Sequence, residues 1–168
     1  MGSLRGWPRV SLCLSAAIPA LLSCAIAGAA CAAGAVEDSC EVSVLPAVER
    51  LLEKRGEGWA FVIVEPEGGE EYVQFGVEEE GVFLDLPLLA LSPRAQARAR
   101  TLFAEAGVAG PVEVGAPDPE DPNAVSVVQS FQLRFGTRAE EASRFACRVL
   151  GEVYELPAEA RLVITEDE

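Results

Sequence analysis

The chain contains no histidine and a single lysine, Lys54, among its 168 residues. Without histidine, Ser-His and Cys-His nucleophilic catalysis and every imidazole-based metal site are excluded. Basic charge is scarce as well: 13 Lys and Arg stand against 27 Asp and Glu, a formal net charge of −14. Phosphate recognition needs clustered Lys and Arg, so nucleic acid is a poor partner. No C-x-x-C occurs, which removes zinc knuckles and thioredoxin-type motifs. Neither G-x-S-x-G nor a glycine-rich phosphate loop with its lysine is present. No cofactor is expected. What remains is a length suited to one ordinary domain, with enough apolar residues (50%) to exclude a disordered chain.

Charge is spread unevenly. Every acid lies at Glu37 or later, residues 10–36 carry no charge at all, and only Arg5 and Arg9 precede them. A short positive head, an apolar run from Val10 to Leu22 and a tract of small residues are the three parts of a secretory signal. Two processing routes can be read. Leu21-Leu22-Ser23-Cys24 resembles the bacterial lipobox, in which Cys24 would be lipidated, whereas Ala33-Gly34-Ala35 is an A-x-A site that would release a soluble protein at Val36. The competing reading is a retained anchor, because 27 uncharged residues exceed the roughly 20 needed to span a bilayer. Residues 1–35 are therefore expected to be a signal peptide or membrane anchor, and 36–40 a short linker. The location expected is outside the cytoplasm: the cell envelope, lipid-anchored or periplasmic, or the medium. Cys13, Cys24 and Cys31 belong to the leading segment, leaving Cys40 and Cys147 as the pair able to form a disulfide in an exported domain. Two small buried thiols are the alternative.

Residues 41–165 read as a single α+β domain, followed by an acidic tail at 166–168. Val42, Leu45, Val48, Leu51 and Leu52 recur at helical spacing, and Gly56 and Gly58 end that helix. Trp59 to Glu65, Tyr72 to Val77 and Val82 to Leu86 are strands separated by short turns, an antiparallel meander. The first of them is apolar on both faces. Ser92-Pro93 opens a second helix with an N-cap serine and a first-turn proline, its apolar face being Ala95, Ala99, Leu102, Phe103 and Ala106. Pro111 to Val114 reads as a short edge strand and the proline-rich Gly115 to Asn123 as a loop. Val125 to Phe135 alternates cleanly. Thr137-x-x-Glu140 reads as a capping box before a helix with Ala142, Phe145, Ala146, Val149, Leu150 and Val153 on one face. Arg161 to Thr165 can add a last strand. The order α-β-β-β-α-β-β-α(-β) predicts an antiparallel sheet, a three-strand meander plus one to three further strands, with three helices on one face.

That order resembles the small chaperones of bacterial type III secretion and the related TY-Chap domains. Phe61-Val-Ile-Val-Glu65 followed by Tyr72-Val-Gln-Phe75 is similar to the strand pair at the heart of the TY-Chap pattern. The likeness covers about Glu41 to Leu156 and implies a partner-binding domain, often dimeric, without catalysis.

Candidate chemistry is sparse. Asp118, Glu120, Asp121 and Asn123 could offer oxygens to Ca²⁺ but lack EF-hand spacing, so a solvated loop competes. Glu78, Glu79 and Glu80 read as a solubilising turn. Asp85, between Leu84 and Leu86, is the one acid in an apolar setting, as an acid–base group needs, or else it points outward from the meander. Arg94 and Arg98 share a helix face near Arg100 and could hold an anion, with a solvated polar face as the favoured alternative. No catalytic, cofactor or metal residue is assigned. The expected function is an exported or membrane-tethered protein-binding module, chaperone-like or accessory, whose acidic surface takes a protein partner of basic character; a homodimer is compatible with it. A carboxylate-dependent envelope hydrolase and an immunity-type inhibitor of a basic toxin are the alternatives.

Overall fold

Strand alternation sets the architecture. In Phe61–Pro66 (β1), Val62, Val64 and Pro66 are buried while Phe61, Ile63 and Glu65 are only half covered. One side of the sheet therefore meets a core and the other does not. A computed structural model of the chain describes residues 27–57, 60–117, 125–157 and 159–167, with side chains in the first helix described from Ser39 onward. The elements are α1 (Ala27–Glu53), β1, β2 (Val73–Glu78), β3 (Gly81–Pro87), α2 (Pro93–Glu105), β4 (Val112–Pro117), β5 (Val125–Gly136), α3 (Ala139–Arg148) and β6 (Leu162–Asp167). They form an α+β fold with one six-stranded antiparallel sheet, order β4-β5-β3-β2-β1-β6. Trp59 and Gly58 lie outside the described residues.

The core forms where the helices meet the inward rows of the sheet. Val62, Phe75, Leu84 and Leu86 from the meander pack with Leu51 of α1, Phe103 of α2 and Ala146 and Val149 behind β5. Phe131 of β5 stacks on Phe103 at 4.8 Å, and Phe145 of α3 meets Phe103 edge-on at 5.1 Å. The faces expected for α2 and α3 are the buried ones, except that Ala106 caps α2 and is exposed. Ser92 caps α2 as expected, its hydroxyl accepting from the Ala95 amide at 3.2 Å.

Several expectations are corrected. In α1 the buried face is Cys40, Val44, Ala47, Val48 and Leu51, and Val42 is 76% exposed. The bridge at Cys40 and the Arg50–Glu166 pair at 2.5 Å fix the roll of the helix, so the stripe runs through Val44 rather than Val42. The supposed linker 36–40 is continuous helix, and Pro46 is accommodated inside it. The Thr137 capping box does not form: the N-cap is Arg138, whose Nε donates to the Phe135 carbonyl at 3.0 Å. Glu166 and Asp167 of the supposed tail belong to β6, which pairs with β1. Gly115 to Pro117 are strand rather than loop, since an edge strand can leave a proline's missing N–H facing away from the ladder.

The β2–β3 turn depends on one glycine. Gly81 has φ 123°, and a Cβ there would sit 2.1 Å from the Gly136 carbonyl oxygen. Gly81→Ala should lose on the order of 3 kcal/mol of stability, from left-handed strain plus backbone collision. Urea denaturation checks this, and a loss below about 1 kcal/mol would contradict it.

Candidate partner-binding surface

The uncovered side of the sheet is built from residues two apart on neighbouring strands. Phe61 of β1 pairs with Gly76 of β2, Gly76 with Phe83 of β3, and Phe83 with Arg134 of β5. The Phe83 ring lies across Gly76, where an added Cβ would be 2.5 Å from its Cζ. On the far side of that ring the Arg134 guanidinium carbon stands 5.5 Å from the centroid, within cation–π range. Arg134 is also held by Glu78, so the row ends in an ion pair. Ile63 and Val163, the latter 40% exposed, continue the apolar surface toward β6. Solvated faces of antiparallel sheets ordinarily alternate to polar; this one keeps two phenylalanines and an isoleucine.

Asp85 is on that same face, pointing away from the helices. Its Oδ1 accepts from the Ser130 hydroxyl at 2.7 Å and from Gln132 Nε2 at 3.0 Å. Ser130 is fully buried, and its hydroxyl is satisfied by this contact. Tyr72 lies near enough that burial, aided by the Asp85 charge, pushes its phenol upward. Two neutral donors, the Ser130 hydroxyl and the Gln132 amide, thus satisfy this carboxylate oxygen.

The arginine pair of α2 does hold an anion, and the anion is the chain's own. Glu155 Oε1 lies 2.9 Å from Arg94 Nη2 and 2.6 Å from Arg98 Nη1. Nη1 is buried and poorly aligned for a hydrogen bond, so that contact is one of charge. Arg98 also donates from Nε and Nη2 to the Val153 carbonyl, at 2.9 and 2.6 Å. These contacts close the π-helical turn Val149–Val153 that extends α3, and they steady Glu155 at φ 58°, a left-handed conformation uncommon for glutamate. Tyr154 next to it donates to the Tyr72 carbonyl at 2.8 Å, and burial drives its phenol far above the ordinary value. Arg100 is exposed and takes no part in this pairing.

Cys40 and Cys147 are bridged, with Cα atoms 5.8 Å apart, inside the limit of about 7 Å for a disulfide. A cleft of about 400 Å³ adjoins the bridge, between Ser39 and Ser43 of α1 and the Leu156–Leu162 approach to β6. A second, of about 320 Å³, is rimmed by Arg134, Arg138, Arg144 and Arg148 over Phe135 and Phe145. Each of these arginines already has an acid: Glu78, Glu141, Glu41, and Glu105 with Glu152. On β6, the Arg50 guanidinium grips Glu166 and holds its carboxyl below the usual carboxylate range.

Of the other sequence candidates, Glu78 and Glu80 meet at one guanidinium. Glu78 pairs with Arg134, and Glu80 Oε2 is 3.8 Å from the same guanidinium. Asp118, Glu120, Asp121 and Asn123 lie outside the described residues, as do Cys24 and the lipobox around it. Ala33-Gly34-Ala35 falls within α1. Among the described residues no group of His, Cys, Asp or Glu is placed to hold a metal ion, and no helix is long and apolar enough to cross a membrane. Sequence reading missed the Phe61–Phe83 row and Glu155. The signal for the first was present, since β1 is apolar at odd as well as even positions; Glu155 had none. Compared with models of known families, with curated proteins and with solved structures, the chain matches nothing.

Proposed function

We propose that the protein is an exported or membrane-tethered, non-catalytic binding module, chaperone-like or accessory, whose open sheet face holds a basic protein partner. One observation carries this reading: Phe61, Ile63 and Phe83, each only half covered, stand together on the sheet face turned away from the described helices. A contiguous apolar patch that keeps part of its surface in water is the ordinary mark of a contact site. The partner's charge follows from the −14 of the chain, which repels acidic proteins and attracts basic ones over a Debye length of about 8 Å at physiological salt. The N-terminal segment supplies the route out of the cytoplasm, with release at Val36, lipid at Cys24 or retention as an anchor as its three outcomes. The likeness to secretion chaperones agrees with binding as the task.

The test is site-resolved photo-crosslinking in the native host. A photoreactive residue at Phe83 should trap a partner of basic isoelectric point, and the same residue at exposed Ala97 of α2 should not. Equal trapping at both positions, or an acidic partner at Phe83, would sink the proposal.

A further inference from the structure

The distal half of β5 stands outside the two-layer body. Strand β3 pairs with β5 only from Ser130 to Gly136, so Val125 to Gln129 are laddered to β4 alone. The described helices leave the middle of this stretch open: Val127 is 67% exposed, and Gln129, Glu113 and Gly115 on the same side are exposed too. On the other side Val112 is 45% exposed, with Val114 and Val128 half covered. A two-stranded ribbon of this kind is marginal in water, and its outer edge offers unpaired backbone groups.

The sheet's two edges are guarded differently. Edge strand β6 ends in Glu166 and Asp167, whereas β4 carries one charge, Glu113, among Val112, Val114 and Ala116. Pro111 precedes that strand and Pro117 ends it, which restricts the open stretch to residues 112–116. Such a length suits a short extended segment and opposes stacking of long edges. Charge selects the occupant. Residues 101–133 contain five acids and neither lysine nor arginine. A second copy would bring together two segments of the same negative charge, so charge favours an unlike, basic chain.

From this we infer that the outer edge of β4 takes an extended basic segment of a partner protein as a seventh strand. This rests on the protein-binding reading above and names how the partner enters. Main-chain hydrogen bonds along Val112–Ala116 supply the attachment. Alternate side chains of the segment cover Val112 and Val114 on one side and meet Glu113 on the other, the arrangement of β-strand addition.

The experiment selects phage-displayed random dodecapeptides on the purified protein, then maps the synthesised winners by amide hydrogen exchange. Winners should alternate Lys or Arg with β-branched residues, slow exchange across Val112–Ala116 about tenfold, and lose about tenfold in affinity between 50 and 300 mM salt. Proline fits an edge strand only where it removes an outward amide. Of E113P and V114P, the variant that keeps its melting temperature should therefore bind about tenfold more weakly. Acidic or helical winners, no winners, or unchanged affinity in the folded proline variant would each overturn strand addition. So would β4 protection that rises with protein concentration in the absence of peptide, which marks a second copy as the occupant. Protection confined to Phe61 and Phe83 would overturn it while leaving the binding reading intact; failed crosslinking at Phe83 with β4 protection retained would do the reverse.

Discussion

Replacing both Cys40 and Cys147 by alanine should lower the melting temperature by about 10 °C, the loss expected of a ~3 kcal/mol destabilisation in a domain of this size. The bridge spans 107 residues of sequence, from α1 to α3. Cross-linking over such a loop removes unfolded-state entropy worth roughly 4–5 kcal/mol in the chain-entropy model, and measured gains run lower. The double replacement is the cleaner test, because a single one leaves a lone thiol able to pair with Cys13, Cys24 or Cys31. Alanine also suits the site, since both cysteines are buried, at 8% and 2% exposure, and a serine hydroxyl at Cys147 would need a new partner. The loss should fall mainly on α1. That helix meets the domain through Val44, Ala47, Val48 and Leu51, and the bridge fixes the turn at Cys40 just before them. Scanning calorimetry of the oxidised, reduced and double-alanine proteins decides the matter: the latter two should coincide. A shift under about 2 °C would mean that packing alone holds α1.

Phe103→Ala should cost more, about 4 kcal/mol. Its ring is fully buried, stacked on Phe131 and met edge-on by Phe145, so truncation removes transfer energy, opens a cavity and breaks two ring contacts together. Phe135→Ala should lose about 1 kcal/mol less, because that ring is 6% exposed and meets only Phe145 among the described rings, from 5.9 Å. A double-mutant cycle on Phe103 and Phe131 should show coupling of at least about 0.5 kcal/mol, as expected for rings in contact. Chemical denaturation at constant m reads all three. Additivity of the pair would place the rings out of contact and refute the arrangement in which α2, α3 and β5 close over one cluster.

The two variants probe different links between sequence and fold. The bridge joins segments that local pattern could identify but not orient. The aromatic cluster joins three elements whose apolar faces were each legible alone: Leu102 and Phe103 on α2, Phe131 and Phe135 on β5, Phe145 on α3. Their meeting was not. Three faces of the right period specify that a core exists, while the order of strands decides which rings touch.

By itself the sequence determined the class and sequence of elements, because capping and periodicity act over a few residues. Ser92-Pro93 caps and starts α2 by contacts within one turn, and the alternation of β5 follows from the two-residue repeat of a pleated strand. Absent histidine and scarce lysine likewise limited the chemistry with no fold needed. Contacts between distant segments set the rest. Val44 rather than Val42 faces inward because Cys147, 107 residues on from Cys40, and Glu166, 116 on from Arg50, fix the roll of α1. Arg94 and Arg98 are occupied by Glu155, and Asp85 by Ser130 and Gln132, across gaps of 45 to 61 residues. Thr137 lost its capping role to Arg138, which the end of β5 placed against the Phe135 carbonyl. In each case the competing local arrangements differ by about 1 kcal/mol or less, whereas burial of a whole face is worth several. Long-range packing therefore sets the choice, and it is written in pairs of residues too far apart in sequence for any local period to reveal.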